Sequence, residues 1–337
     1  MARNLFEYHP VIGYRFVPGL RARVRHEGGG YLVRCNAAGF RCEHETAEPP
    51  PAGGRRVLLF GDSYTAGEGV SNRHRFGDLV EARLAGLQVL NFGLPGSGTD
   101  QQYLAWREFG RDLPHDLLLL CPMVENVRRN LDTHRLTQST ADGRLVLRAK
   151  PYFRLGADGR LELHHQPVPK QALPHEGEAS RPEDDAAGAW RRRLRALNTA
   201  VDRRLPGFRG WTQRARRVRW PHEYESPSDP GWLLMRAILA RWIAESPAPV
   251  LLCPLPTFGH LQGTLVADGY RARFAELARD SGATFVDLLP ALQQRPPAER
   301  RAARFPRDEH PSRLGHAWIA DALAPHVQRS LARAEAA

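Results

Sequence analysis

Val57-Leu58-Leu59-Phe60-Gly61-Asp62-Ser63-Tyr64-Thr65 is the stretch that decides the fold. Four apolar residues ending at a glycine predict a buried strand that stops in a tight turn. Ser63 then falls at the carboxyl end of that strand, ahead of a helix, where open α/β sheets build their sites. The same alternation repeats outward from it. Residues 76–84 are helical in pattern through Leu79, Val80, Ala82 and Leu84, residues 87–92 are strand-like, 101–109 helical, and 116–121 strand-like through Leu117-Leu118-Leu119-Leu120. After a break the pattern resumes with a helix at 232–245, a strand at 249–255, a helix at 270–280 and a short strand at 284–288. A helical stretch over 312–334 follows, which Pro325 is expected to kink or split. Strands alternating with helices of this length predict βαβ units and a parallel sheet. The near-continuous apolar strands agree, because parallel strands are covered on both faces.

Two regions fall outside the alternation. Residues 1–54 read as an irregular, partly β lead-in, with Tyr31-Leu32-Val33-Arg34-Cys35 as a strand and the run Glu48-Pro49-Pro50-Pro51-Ala52-Gly53-Gly54 as a linker. Residues from about 131 to 231 interrupt the sheet pattern and read as an insertion over the rim of the sheet. Within it, residues 152–163 predict a β-hairpin turning at Asp158-Gly159, and residues 186–205 an arginine-rich helix whose Arg191-Arg192-Arg193-Leu194-Arg195 run is a solvated face.

The 337 residues are enough to bury a sizeable core, and 42% hydrophobic with 25% charged residues is ordinary for a globular chain. No segment approaches the roughly 20 apolar residues of a membrane span. The N-terminus lacks a basic region followed by an apolar core, so no secretory leader is predicted and a cytoplasmic location is expected. Four cysteines, Cys35, Cys42, Cys121 and Cys253, are too few for a disulfide scaffold and suit no zinc spacing, which leaves buried reduced thiols. The formal charge of +11 comes almost wholly from arginine, since Lys150 and Lys170 are the only lysines. GC-rich codons account for that bias without nucleic-acid binding, and none is expected; an anionic substrate is the weaker functional reading.

Four separated segments carry residues suited to acyl transfer. Gly61-Asp62-Ser63 offers a nucleophile. Asn91-Phe92-Gly93-Leu94-Pro95-Gly96-Ser97-Gly98 is a glycine-rich turn after the second strand, whose exposed N–H groups suit an oxyanion. Val124-Glu125-Asn126, after the third strand, offers a side-chain amide for the same purpose. Asp308-Glu309-His310-Pro311-Ser312 precedes the last helix and offers a general base in His310 and an acid in Asp308 to orient it. All four lie at strand ends or before helices, so one rim of one sheet brings them together.

In these segments the chain resembles the SGNH, or GDSL-type, hydrolases, named for Ser, Gly, Asn and His in four blocks. Ser63 matches the nucleophile, Gly93 the second-block glycine, and Asp308 with His310 the last block. The resemblance covers about residues 55–130 and 245–335. The upstream segment Arg34-Cys35-Asn36-Ala37-Ala38-Gly39-Phe40-Arg41 also looks like one found in some bacterial members. It implies a three-layer α/β/α sandwich with a mainly parallel, flavodoxin-like sheet, a Ser63-His310-Asp308 triad, and an oxyanion hole of the Ser63 N–H, Gly93 N–H and Asn126 amide. Two departures stand out. Many members place the acid three residues before the histidine, where this chain has Arg307, and the third block can be aligned with either Asn126 or Glu125 in the amide position.

Each residue also has a plainer reading. Ser63 could cap a helix, the glycines could merely allow turns, Asn126 could cap the helix that follows, and His316 suits packing. Asp62, Tyr64, Glu125 and His260 are candidates for the substrate pocket. The combined expectation is an ester hydrolase acting on a small-molecule or glycan acyl ester, with no metal or organic cofactor. An O-acyltransferase or a catalytically inactive binding domain on the same scaffold remain as alternatives.

Overall fold

A computed structural model describes residues 4–138, 145–174 and 218–336. Its centre is a five-stranded sheet of β5 (Arg55–Gly61), β6 (Leu87–Asn91), β7 (Leu117–Cys121), β13 (Val250–Leu252) and β14 (Thr284–Phe285). The spatial order is β14-β13-β7-β5-β6 and every pairing is parallel. Numbered by chain order within the sheet this is 2-1-3-4-5, the flavodoxin-like winding that the resemblance implies.

The apolar run around Leu58 explains why the strand lies at the centre. Side chains alternate across a strand, and both sides are covered here. Leu58 and Phe60 pack into one core with α3 (Thr99–Phe109), α5 (Pro230–Glu245) and α7 (Asp268–Ser281), through Trp106, Trp242 and Phe274. Val57 and Leu59 pack into the opposite core with α2 (Phe76–Arg83) and α10 (Arg313–Ala336), through Phe76, Val80, Ile319 and Leu323. The expected strands at 249–255 and 284–288 shrink to three and two residues. The last helix is not split: α10 runs unbroken through Pro325. Leu323, Ala324 and Val327 are buried on both sides of the proline, so packing outweighs the one backbone hydrogen bond it removes.

The N-terminal lead-in is more ordered than its sequence suggests. It forms two antiparallel hairpins, β1 (Phe6–His9) with β2 (Gly13–Phe16), and β3 (Arg21–Val24) with β4 (Tyr31–Arg34). The second is fastened by Arg41, whose fully buried guanidinium donates to the carbonyls of Gly67 and Val70 at 2.8 Å and to Asn72 Oδ1. Burial lowers its pKa to about 9. Between α4 (Asn126–Arg129) and α5 the chain leaves the parallel sheet. It forms an antiparallel sheet of β8 (His134–Gln138), β9 (Leu145–Ala149) and β12 (Ala172–Pro174), and the expected hairpin, β10 (Tyr152–Leu155) with β11 (Leu161–His164). The expected basic helix at 186–205 lies outside the described residues.

All four cysteines are buried and free, and burial pushes Cys42 up to about 11 and Cys35 up to about 12. No helix among the described residues is long and apolar enough to cross a membrane.

Gly61 shows how tightly the first strand end is built. It pairs with Cys121 on β7, and a Cβ there would lie 2.1 Å from Thr65 Oγ1 and 2.6 Å from the Cys121 carbonyl. Gly61→Ala is therefore expected to destabilise the protein by about 1–3 kcal/mol. Urea denaturation measures this, and an unchanged midpoint would contradict the packing described.

Candidate active site

The sheet order places the ends of β5 and β7 side by side, at the point where the winding changes direction, and the site is built there. Asp62 caps the short helix α1 (Ser63–Ala66), accepting from Tyr64 N at 3.0 Å, and Gly67 closes that helix in the left-handed region at φ 75°. Ser63 is thus the first residue of a helix that springs directly from a central strand, with its N–H among the groups helix geometry leaves unpaired.

The last loop reaches Ser63 through a chain of short hydrogen bonds. His310 Nε2 lies 2.8 Å from Ser63 Oγ. His310 Nδ1 lies 2.7 Å from Asp308 Oδ1 and 3.1 Å from the Asp308 carbonyl. Both partners of Nδ1 are acceptors, so that nitrogen carries the proton and Nε2 is left to accept from the Ser63 hydroxyl. Glu68 Oε2 stands 3.6 Å from Nε2 as a second carboxylate. Tyr64 packs edge-on to the imidazole at 5.6 Å and donates to the Glu309 carbonyl at 3.2 Å. Burial, followed by the charges of Asp62, Glu125 and Glu309, raises the Tyr64 pKa well above its ordinary value and keeps it a neutral donor.

The two-residue spacing of Asp308 and His310 has a conformational cause. Glu309, between them, has φ 52°. A side-chain-bearing residue in this region costs about 1–2 kcal/mol, and such strain persists where the surroundings over-determine it. Here Glu27 Oε1 accepts from the Arg307 and Asp308 N–H groups at 3.0 and 2.8 Å, and Asp308 Oδ2 lies 2.6 Å from His26 Nε2. His26 and Glu27 belong to the connection after β3 and carry no local signal of a site. They touch a segment some 280 positions later, which leaves no pattern in the sequence.

The oxyanion donors differ from expectation. The Gly93 N–H donates to Asn91 Oδ1 at 2.9 Å, so it is not a free donor. Gly93 is needed for packing instead: a Cβ would lie 2.3 Å from Ala66 N. Asn126 is fully buried, its Nδ2 donating to Asp62 Oδ2 at 2.9 Å and its Oδ1 accepting from Gln102 at 3.1 Å. The amide is engaged in holding Asp62. Ser63, at the start of α1, presents an N–H that helix geometry leaves unpaired. Glu125 is half-buried; burial raises its pKa, the Asp62 and Glu309 charges add to the rise, and Arg129 opposes it.

Of the candidate pocket residues, Asp62 is fully buried and accepts from Tyr64 N, Asn126 Nδ2 and Arg129 Nη1, the last at 2.8 Å. It is a structural anchor and cannot reach a substrate. His260 is likewise buried, 2.9 Å from Thr257 Oγ1 and packed on Tyr270, and burial lowers its pKa to about 4. Its place is in the core and not on the pocket wall. His316 serves packing as expected: buried, with Nδ1 accepting from Phe76 N at 3.2 Å, it has its pKa lowered to about 3, chiefly by burial.

The strained turn gives a stability test. Glu309→Gly is expected to be at least as stable as the parent, because glycine adopts positive φ freely. Glu309→Val is expected to lose about 1–2 kcal/mol, since a β-branched residue fits that region poorly. Thermal denaturation of the pair measures the difference, and equal stability of the two variants would overturn the assignment of strain.

No family model and no curated protein matches this chain. Solved structures resemble it at low identity. One is a member of the lipolytic protein G-D-S-L family from Veillonella parvula, with a TM-score of 0.40 and 12% identity over 81% of this chain and 98% of that one. A lipase/acylhydrolase from Enterococcus faecalis has a TM-score of 0.42 and 14% identity over 82% of this chain and 96% of that one. The acetyl xylan esterase AlAXEase has a TM-score of 0.42 and 14% identity over 81% and 99%.

Proposed function

We propose that this chain is a serine hydrolase that cleaves an ester bond through an acyl-enzyme. The observation that carries this reading is the 2.8 Å contact between His310 Nε2 and Ser63 Oγ, with Asp308 Oδ1 2.7 Å behind the same ring. A serine is a weak nucleophile alone and is activated by an adjacent base that a third group orients. In the proposed reaction His310 takes the Ser63 proton as Oγ attacks the ester carbonyl. The Asp308 and Glu68 carboxylates stabilise the imidazolium that forms. His310 then gives the proton to the departing alcohol, and water cleaves the acyl-enzyme by the same steps in reverse role.

The oxyanion hole is assigned first to the Ser63 N–H, since the Gly93 N–H and the Asn126 amide are held by Asn91 and Asp62. A backbone donor fixed at a helix start needs no reorganisation as charge develops, which is the source of its effect. A carboxylate at Glu125 would oppose that charge, and burial raises its pKa.

The segment after α4 is assigned to substrate choice. A cavity of about 460 Å³ lies between the first hairpin and β8–β9, lined among others by Tyr14, Arg135, Arg148 and Lys170. Arg135 stacks over Tyr14 at 4.4 Å and lies against Gly96, and Tyr14 donates to the Pro95 carbonyl at 2.5 Å. Two of its lining side chains, Tyr14 and Arg135, thus also touch the glycine-rich loop, and its cationic lining suits a polar or anionic alcohol portion better than a lipid.

Three outcomes are expected. Ser63→Ala abolishes turnover of 4-nitrophenyl acetate while the fold survives by circular dichroism, and near-normal activity would refute the nucleophile. A fluorophosphonate probe labels Ser63 in the parent protein, whereas a non-catalytic binding domain stays unlabelled. Finally, 4-acetoxybenzoate is hydrolysed with a several-fold higher kcat/KM than its neutral methyl ester, a preference that shrinks as salt is raised; a preference for the neutral ester would count against the polar-substrate reading.

A further inference from the structure

We infer that His26 is a positioning residue for the Ser63 site, acting through Asp308 and His310, and that the N-terminal lead-in is thereby part of the catalytic unit. The inference rests on the serine-hydrolase reading above and extends it to a residue outside the α/β core.

The hydrogen bonds around His26 settle its protonation pattern. The Gly28 N–H donates to His26 Nδ1 at 3.2 Å, so Nδ1 is an acceptor. The ring proton of the neutral imidazole is then on Nε2, which faces Asp308 Oδ2 at 2.6 Å. His26 therefore gives Asp308 one short hydrogen bond. The same carboxylate accepts from His310 Nδ1 through its other oxygen. Each oxygen has one histidine, and rotating the carboxylate breaks both contacts together.

His26 is itself held. Its ring packs edge-on against Phe305 at 4.3 Å and Tyr31 at 5.8 Å. Gly69 passes so close that a Cβ there would lie 2.4 Å from the Phe305 ring and 3.0 Å from His26 Cε1. Glu27, the next residue, takes the two backbone N–H groups of Arg307 and Asp308. One dipeptide thus grips the acid-bearing turn by its side chain and by its backbone, on the outer side of the strained Glu309. Without His26, Asp308 Oδ2 has no protein donor, the carboxylate is free to turn toward water, and His310 loses the fixed direction of its Nε2 toward Ser63. Rate is sensitive to misplacement of this size even when substrate binding is not.

The test uses the full-length protein and 4-nitrophenyl acetate. His26→Phe keeps a ring in the same space and removes the donor. His26→Gln places an amide N–H at about the reach of Nε2 and restores it. The expected result is a fall in kcat of about 10- to 100-fold for His26→Phe, with KM changed less than about 2-fold, and recovery of most of that loss in His26→Gln. Should His26→Phe fail to fold, His26→Asn, whose amide is too short to reach Asp308, is expected to show the same loss of kcat. A merely structural role predicts instead a lowered thermal midpoint with parental kcat in the folded fraction, and no rescue by glutamine; that pattern overturns the inference. A parent protein that neither turns over the ester nor reacts with the fluorophosphonate overturns the hydrolase reading beneath it. An active, labelled parent with an equally active His26→Phe variant overturns the His26 inference alone.

Discussion

The buried carboxylate of Asp62 is the constraint on which the rim of the sheet depends. It sits between a strand end and the serine, out of contact with solvent, and a charge so placed is tolerated only when fully hydrogen-bonded. Its donors come from different parts of the chain: Tyr64 N from its own turn, and Asn126 Nδ2 and Arg129 Nη1 from the short helix after the neighbouring strand. Arg129 extends the network. Its guanidinium also reaches the Ser97 carbonyl at 3.3 Å, and its own carbonyl accepts from Lys150 at 2.7 Å, which pairs with the buried Asp100. Satisfying one carboxylate thus locks together the loops after β5, β6 and β7 and ties the following antiparallel segment to them. Ser63, the next residue after Asp62, is presented from a rigid shelf.

The opposite side of the site is held by strain and its restraint. The turn 308–310 brings an acid and a histidine together across one residue only because that residue adopts positive φ. Such a turn would relax if left alone. It is held from within by Tyr64 on the Glu309 carbonyl, and from without by His26 and Glu27. The junctions of the lead-in with the core include the Arg41 contacts to the loop after α1 and the His26-Glu27 contacts to the last loop. Both junctions flank Ser63.

Local signals predicted the parts of this arrangement that local forces produce. The apolar runs at 57–60 and 117–120 became central strands because burial on both faces demands continuous apolar residues. The Asp158-Gly159 pair turned its hairpin because glycine supplies the positive φ, here 76°. Ser63 and His310 drew notice because each lies at a strand end or before a helix, and the structure places them 2.8 Å apart. The Gly93 N–H and the Asn126 amide are engaged by other groups for one reason. Sequence position places a donor near the site but does not say what else will claim it, and Asp62 and Asn91 do. His260 was misjudged because a histidine after a strand looks the same whether it faces a cleft or the core, and here it is buried beside Tyr270.

By itself the sequence determined the alternation of strands and helices that makes a parallel sheet, and the strand ends on which the chemistry-bearing residues stand, since hydrophobic periodicity and strand-end glycines act over a few residues at a time. The tertiary structure alone decided which polar groups are free and which are taken. Hydrogen-bond satisfaction in a buried rim is a global condition: the partner of Asp308 lies at His26 and that of Asp62 at Arg129, and no local pattern carries pairings across such distances.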